Sequence, residues 1–285
     1  MKITKLPILI AGSILLTFAS CGEKTKKMEE KTAVEKMEPK APVYDTSNPA
    51  SILASIEFAQ GGWGDLWNKK DVSYTYDYRY ADGKADASTE RYIFANEASF
   101  GHYTQHDINA MPGAKGEVTQ LFDGNSAKVM VGDTPIEDPA AIGGTEFLRR
   151  ANYFWFVMPY KLNDKGTIAK YMGQEEYNDI TYDKVEITYD ATITGKEQND
   201  IYVLYVNPDT KMIDRFYFSL PAMGVNEPLI IANYEYEDIE GQKVATKRSI
   251  FMPSPDGYSE TPNLVQTLTN VKFGNGYTAE TLMQM

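Results

Sequence analysis

The sequence has 285 residues but only one cysteine, Cys21, and two histidines. A single cysteine excludes a disulfide bond within the chain. The sequence also lacks an uninterrupted apolar run of about 20 residues, the length that a membrane-spanning helix needs. It contains no G-x-S-x-G nucleophile elbow, no glycine-rich phosphate loop and no dinucleotide-binding fingerprint. The sequence therefore has no catalytic motif of these kinds that would indicate an enzyme.

Positive charge is scarce as well. The chain carries 28 lysines and arginines against 40 aspartates and glutamates, a net charge of −12. Proteins that bind nucleic acids need a basic surface that displaces counterions from the phosphates. The composition therefore argues against a nucleic-acid partner.

The N-terminus is typical of an export signal. Lys2 and Lys5 form a short positive region before residues 6–19, which are almost all apolar. That run is too short to span a membrane, but it has the length of the apolar core of a secretory signal. Small residues, as a signal peptidase requires, stand directly before Cys21. The sequence predicts a signal peptide over residues 1–20.

The position of Cys21 resembles the lipobox of bacterial lipoproteins, in which the thiol is acylated and the cysteine becomes the first mature residue. The lipobox usually has leucine three places before the cysteine, where this chain has Phe18. We predict that Cys21 is the lipid attachment point and holds the protein to a membrane. An ordinary secreted protein with an incidental cysteine is the alternative.

The segment after the cysteine is highly charged. Residues 22–40 contain six lysines and five glutamates but one β-branched aliphatic residue, Val34. Such a composition buries too little apolar surface to offset the entropy of ordering. We expect a flexible tether over residues 21–47 and a single folded domain over residues 48–285.

Alternation of apolar and polar residues predicts an antiparallel sheet. Residues 72–80 (VSYTYDYRY) carry Val72 and four tyrosines on one face, and the turn dipeptide Asp82-Gly83 follows. Long helices between consecutive strands, which parallel β-α-β units require, are not predicted. The remaining strands are predicted at residues 89–95, 98–105, 117–122, 126–131, 167–173, 180–189, 201–206, 211–220, 229–237, 243–252 and 264–273.

Helical patterns occur in three places. Residues 49–60 begin with proline after a capping residue, and residues 63–68 form a further turn. Residues 145–158 carry four consecutive aromatics, and we expect Pro159 to end this helix. Because aromatics cover every face, the helix should be buried almost completely, inside the curve of the sheet.

Three stretches together resemble a known family. They are residues 58–62 (FAQGG) with Leu66-Trp67, residues 153–166 (YFWFVMPYKLNDKG) and the hairpin 203–213 (VLYVNPDTKMI). This pattern resembles bacterial lipoproteins of domain-of-unknown-function family 6503, over about residues 50–275. The family often has histidine before the paired glycines, where this chain has Gln60. No activity is assigned to the family, so the resemblance implies none.

The order of helices and strands is also similar to the lipoprotein-carrier superfamily, typified by a periplasmic lipoprotein chaperone and its outer-membrane receptor (LolA and LolB). This likeness implies a mainly β fold (α+β): a strongly curved antiparallel sheet or incomplete barrel with helices packed in the concave face. In those relatives the cavity receives acyl chains. The likeness also implies a place in the cell envelope, at the outer membrane.

The residues that could carry chemistry are few. His102 and His106 are four apart on a predicted strand, where they would be about 13 Å apart, too far for one zinc ion. Carboxylates cluster in two places, and a glycosidase would need two of them across a cleft. For so acidic a chain, a role in solvation is the better interpretation. The clusters are Glu175, Glu176, Asp179 and Asp183, and the pair Glu235 and Glu237.

Apolar side chains therefore remain as the candidate site. We predict that Phe154, Trp155 and Met158 of the third helix meet Phe216 and Phe218 across the concavity. They either complete a filled core or line a cavity for an apolar, lipid-like ligand. The prediction is a non-catalytic binder or carrier; an interaction module of the envelope and, less favoured, a carbohydrate-active enzyme are the alternatives. We expect no cofactor and no metal.

Overall fold

The computed structural model describes residues 40–284. Cys21, the predicted signal peptide and the first part of the predicted tether lie outside the described residues. Thirteen strands form one antiparallel sheet, which is the fold class predicted from the sequence. The strands are β1 (Asp71–Tyr80), β2 (Ala85–Ile93), β3 (Ala98–His106), β4 (Val118–Phe122), β5 (Ala127–Val131), β6 (Thr134–Pro135), β7 (Thr167–Tyr177), β8 (Ile180–Tyr189), β9 (Tyr202–Val206), β10 (Ile213–Leu220), β11 (Val225–Ile239), β12 (Gln242–Phe251) and β13 (Leu264–Phe273).

Within residues 40–284, four α-helices and one short 3-10 helix accompany the sheet. The helices are α1 (Pro49–Ala59), α2 (Trp63–Asn68), α3 (Pro139–Lys161) and α4 (Ala191–Thr194). The 3-10 turn occupies Pro221–Met223. The predicted hairpin at Asp82-Gly83 is confirmed: Gly83 has a φ of 93°, which favours glycine, and Tyr80 N–H bonds Lys84 C=O across the turn.

The third helix is longer than predicted at both ends. It begins at Pro139, where Asp138 caps it by accepting the Ala141 N–H at 3.0 Å. The additional N-terminal turns include Gly143 and Gly144, which have low intrinsic helix propensity. Pro159 does not end the helix, because only the last turn follows it and few backbone bonds are lost.

The sheet is open, and α3 connects its two edges. The strand order is β6-β5-β4-β3-β2-β1-β13-β12-β11-β10-β9-β8-β7, so β1 and β13 pair in the middle. The chain runs outward from β1 to the edge strand β6, passes through α3, and returns from the other edge, β7. The helix thus lies across one face of the sheet.

Contacts of α3 show that the sheet curls around it. Leu148 packs in a cluster with Val118 of β4, and Trp155 stacks on Phe216 of β10. The two helix residues are about 10 Å apart along the axis, whereas seven strand spacings in a flat sheet would be about 34 Å. Only a curved sheet brings both strands to one helix. The curvature and the helix in the concave face agree with the predicted fold.

The end of the predicted tether is attached to the domain. Tyr44 packs against the main core cluster, and its hydroxyl donates to Asp183 Oδ2 at 2.8 Å. The Lys211 ammonium lies 4.1 Å from the centre of the Tyr44 ring. Ordered structure therefore starts earlier than residue 48. Among residues 40–284, no helix is both long and apolar enough to cross a lipid bilayer.

Candidate functional site

Two adjoining cavities border α3. The smaller lies against the concave face of the sheet, and the larger lies between α3, residues 194–200 and residues 220–222. The larger has a volume of about 640 Å³ and the smaller about 150 Å³. They share a wall made by Phe147, Ala151, Trp155 and Leu220. We call the two cavities together the groove. Aromatic and aliphatic side chains supply much of its lining, as in sites for apolar small molecules.

Trp155 is the central residue of this wall. Its ring centre is 6.1 Å from that of Phe216 and 5.1 Å from that of Phe218. Phe154 packs on Trp155 at 5.5 Å and on Tyr202 at 5.9 Å. The predicted meeting of α3 with β10 across the concavity is therefore confirmed for Trp155.

The five predicted ligand-binding residues divide into two groups. Phe154, Trp155 and Phe218 line the groove. Met158 and Phe216 are completely buried in the main core cluster behind it. Whether any of them touches a ligand stays a prediction.

Sequence reasoning missed most of the apolar lining of the groove, including Phe147, Ala151 and Met223. Phe147 and Ala151 precede Trp155 by eight and four residues, so all three share one face of α3. Phe147 is 51% exposed. The prediction that α3 is buried almost completely is therefore wrong on this face. Met223 lines the smaller cavity and is 70% exposed. The i, i+4, i+8 spacing was the signal that would have found the helix residues.

A buried ion pair fixes one part of α3. Arg149 Nη1 and Nη2 donate to the two carboxylate oxygens of Glu90 at 2.5 and 3.1 Å, and both side chains are fully buried. Tyr92 OH donates to Glu90 Oε2 at 2.6 Å, and Arg149 also donates to Tyr103 OH. A Cβ at Gly101 would collide with the guanidinium, so this strand position has to be glycine. Burial raises the pKa of the Tyr92 and Tyr103 hydroxyls well above the usual value.

The last turn of α3 is fixed by a second polar contact. Tyr160 OH lies 2.5 Å from Gln242 Oε1 and 3.0 Å from the Gln60 carbonyl oxygen. Gln60 is buried, and its side-chain amide contacts Met212 Sδ at 3.5 Å. The adjacent Gly61 has a φ of 116° and lies against the Gly241 backbone. The FAQGG stretch thus serves packing between α1, α3 and β12.

The larger cavity has a charged rim. Arg150, Lys161, Lys196, Asp164 and Asp200 line it beside the aromatic residues. Lys161 lies 3.1 Å from Glu97 and 3.2 Å from Asp164, and Lys196 lies 3.3 Å from Asp200. Although burial disfavours its charge, the two carboxylates raise the pKa of Lys161. The rim charges are therefore largely paired with one another.

The two histidines lie on β3, as predicted. His102 Nδ1 is 3.1 Å from Thr119 Oγ1, and its Nε2 is 3.2 Å from Glu117. His106 Nε2 is 2.8 Å from the Gly116 carbonyl oxygen. Within residues 40–284, no group of three or more His, Cys, Asp or Glu side chains is arranged to hold a metal ion.

The carboxylate clusters are engaged in structural bonds. Asp183 is buried rather than solvated and accepts from Tyr44, Tyr171 and Gln174. Glu175 pairs with Lys184 at 2.7 Å and accepts from Tyr205 OH. These acids line neither cavity of the groove in the part of the chain that the structure describes.

The Glu235 pair behaves as predicted for solvated acids. Glu235 is exposed and lies 2.6 Å from Lys247 Nζ on the neighbouring strand. Glu237 is exposed too. An exposed pair of this kind contributes little to stability.

Comparisons with known proteins give a family match and similar structures. Residues 145–226 match a family of unknown function, DUF6503. No curated protein matches the sequence significantly. One similar structure is a domain described as an outer membrane lipoprotein-sorting protein, from Vibrio parahaemolyticus; it has a TM-score of 0.49 and 10% identity, and covers 84% of this chain and 97% of its own.

Two further structures are similar. A LolA superfamily protein from Nitrosomonas europaea has a TM-score of 0.44 and 14% identity, and covers 78% of this chain and 97% of its own. The Mycobacterium tuberculosis lipoprotein LppX has a TM-score of 0.28 and 14% identity, and covers 81% of this chain and 99% of its own.

The family match is shorter than the range of residues 50–275 that the sequence pattern indicated. It contains the central 153–166 stretch and the 203–213 hairpin but not the FAQGG opening. The resemblance of this chain to DUF6503 is thus confirmed over residues 145–226, from α3 to the start of β11.

Proposed function

We propose that the protein is a membrane-anchored lipoprotein of the bacterial cell envelope, at the outer membrane, and that its domain binds or carries an apolar acyl ligand without catalysing a reaction. The observation that carries this proposal is the groove beside α3. Its larger cavity, about 640 Å³, lies within the range of about 300–1,000 Å³ that is usual for small-molecule sites.

The lining of the groove suits a hydrocarbon chain. Phe147, Phe154, Trp155 and Leu220 present apolar surface along the larger cavity. Each methylene group that moves from water into such a site stabilises the complex by about 0.8 kcal/mol. An apolar wall that is open to water gains little for folding, because its side chains stay hydrated and lack packing partners on one side. The cavity is therefore more readily explained by a ligand than by folding alone.

The sequence supports the proposed anchor. Acylation of Cys21 would hold the chain at a membrane, and the charged segment 22–39 would let the domain move between the surface and its surroundings. The paired charges of the groove rim and the bonded carboxylates offer no group poised for catalysis.

The proposal is tested by titrating the chain from residue 22 to residue 285 with palmitate in a calorimeter. We expect binding of one molecule per chain. Ala151→Trp places a large side chain in the shared wall and should weaken binding at least about ten-fold, a loss of about 1.4 kcal/mol. The matched control is Ala140→Trp, at an exposed position on the same helix, which should bind like the wild type.

Two results would reject the proposal. One is that palmitate does not bind the wild type. The other is that Ala151→Trp, with an unchanged melting profile, binds as well as the wild type. Specific capture of an envelope protein without any acyl ligand would instead support an interaction module, and glycan cleavage lost on Glu175→Ala would support an enzyme.

A further inference from the structure

A row of five directly paired residues crosses the concave face beside the smaller cavity. Asp86, Tyr78, Gln266, Arg248 and Tyr234 lie opposite one another on β2, β1, β13, β12 and β11. Residues paired directly across antiparallel strands point to the same face of the sheet. Tyr78, Gln266 and Tyr234 line the smaller cavity. Arg248 lies on the strand between the last two, directly behind this lining rather than as part of it.

Arg248 is a buried cation without a carboxylate partner. Its side chain is 3% exposed, and its guanidinium lies 5.4 Å from the centre of the Tyr234 ring. Among the residues described, its one hydrogen bond runs from Nη1 to Gln266 Oε1 at the long distance of 3.4 Å. Its Nε has no partner there. Burying a charge without a partner is costly, so such a group needs an explanation.

The buried acids of the concave face do not supply the partner. Glu90 is bonded to Arg149 through both of its oxygens. Asp86 is three strand spacings from Arg248, about 14 Å, and accepts the N–H groups of Ile108 and Asn109. The charge of Arg248 is therefore uncompensated within residues 40–284.

A second polar group beside the cavity is also unsatisfied. Tyr234 is 6% exposed, and its buried hydroxyl has no hydrogen-bond partner among the described residues. The guanidinium fork and a phenol hydroxyl together match the donors that a carboxylate accepts. Within residues 40–284, the weak contact with Gln266 is the only hydrogen bond that Arg248 would have to give up.

We propose that the groove takes a single-chain amphiphile with its carboxylate group at Arg248 and Tyr234 and its apolar tail past Trp155 in the larger cavity. This inference rests on the proposed function, because it names the ligand class of the same groove. The smaller cavity has about 150 Å³ for the head group and the larger about 640 Å³ for the tail. Arg248 is then a specificity-determining residue.

The test compares three probes with the same 16-carbon tail: palmitate, hexadecyl phosphate and hexadecanol. Affinities are measured by calorimetry for the chain from residue 22 to residue 285. Because paired charge-assisted hydrogen bonds would form only with an anion, palmitate should bind at least about ten-fold more tightly than hexadecanol. Hexadecyl phosphate distinguishes a carboxylate site from a phosphate site, and tighter binding of the phosphate than of palmitate would overturn the carboxylate assignment.

Arg248→Gln should lower the affinity for palmitate to that for hexadecanol and leave hexadecanol binding unchanged. The matched control is Arg215→Gln on β10, two strands away from Arg248. It removes an arginine that packs on Tyr177 and Tyr217 on the opposite face of the sheet. This control should keep the preference for palmitate.

Equal binding of palmitate and hexadecanol to the wild type would overturn the assignment of Arg248 but leave the apolar groove in place. So would a preference for palmitate that persists in Arg248→Gln. If no probe binds, the proposed function fails together with the inference. Since the first comparison uses only wild-type protein, the test stands even if Arg248→Gln does not fold.

Discussion

Replacing Glu90 by glutamine is expected to destabilise the domain strongly, because it leaves the Arg149 guanidinium buried without a carboxylate. Both side chains are fully buried, and the carboxylate bonds both Nη atoms. Breaking a buried ion pair by removing one partner costs about 3–5 kcal/mol. For a domain of this size that corresponds to a fall in Tm of about 6–20 °C, measured by circular dichroism or calorimetry.

The chain provides a matched control on the same helix. Glu146 pairs with Arg150, and their side chains are 39% and 47% exposed. Since an exposed pair of this spacing contributes about 0.3–0.5 kcal/mol, Glu146→Gln should change the Tm by less than about 2 °C. Combining Glu90→Gln with Arg149→Met should recover much of the loss, because no charge is then left unpaired. A Glu90→Gln protein that melts within about 2 °C of the wild type would refute this account of how α3 is held.

Three further predictions concern the aromatics and the end of the tether. Burial raises the pKa of many tyrosines, that of Tyr234 to about 12 and those of Tyr76 and Tyr202 well above the usual value. Because the pKa is higher in the folded state, the stability that comes from these neutral phenols is present below about pH 10 and is lost as the pH rises above it. Absorbance at 295 nm should therefore show the phenols ionising together with unfolding, and their ionisation in a chain that stays folded would contradict this. Tyr44→Phe should lower stability by about 1–3 kcal/mol through loss of the bond to Asp183, seen as a lower denaturant midpoint, whereas an unchanged midpoint would mean that residues 40–47 are not docked in solution. Trp155→Ala should widen the passage between the two cavities and shift the preferred fatty acid to longer chains in competition assays. The control is Trp67→Ala, which removes an exposed tryptophan on α2; an unchanged chain-length preference would contradict the role of Trp155 as a wall of the groove.

Local patterns in the sequence were sufficient for most of the sheet. In β1, Tyr74 and Tyr76 are buried while Thr75 between them is exposed, as strict alternation requires. The first turns of α3 lay outside the predicted helix. Gly143 and Gly144 disfavour a helix there, whereas Asp138 followed by proline is a capping signal. Local helix propensity opposes the capping signal in these turns. The cap and the tertiary packing of the helix together outweigh the low propensity of the glycines.

The polar part of the site was out of reach for sequence reasoning. Glu90 and Arg149 are 59 positions apart, and Arg248 meets Tyr234 and Gln266 only through strand pairing. Each of these residues reads as an ordinary surface charge or amide along its own strand or helix. Trp155 was found because a run of aromatics has to be buried somewhere, whatever the register. The register itself decides which polar groups reach the concave face.

Native mass spectrometry of the chain from residue 22 to residue 285, purified without detergent, tests the central claim most directly. We predict a population that carries one small acyl ligand per chain, which collision energy releases as a fatty-acid anion. The adduct should be absent from Ala151→Trp and present in Ala140→Trp. A wild-type protein that carries no ligand after purification, and that takes up none when palmitate is added, would contradict the account.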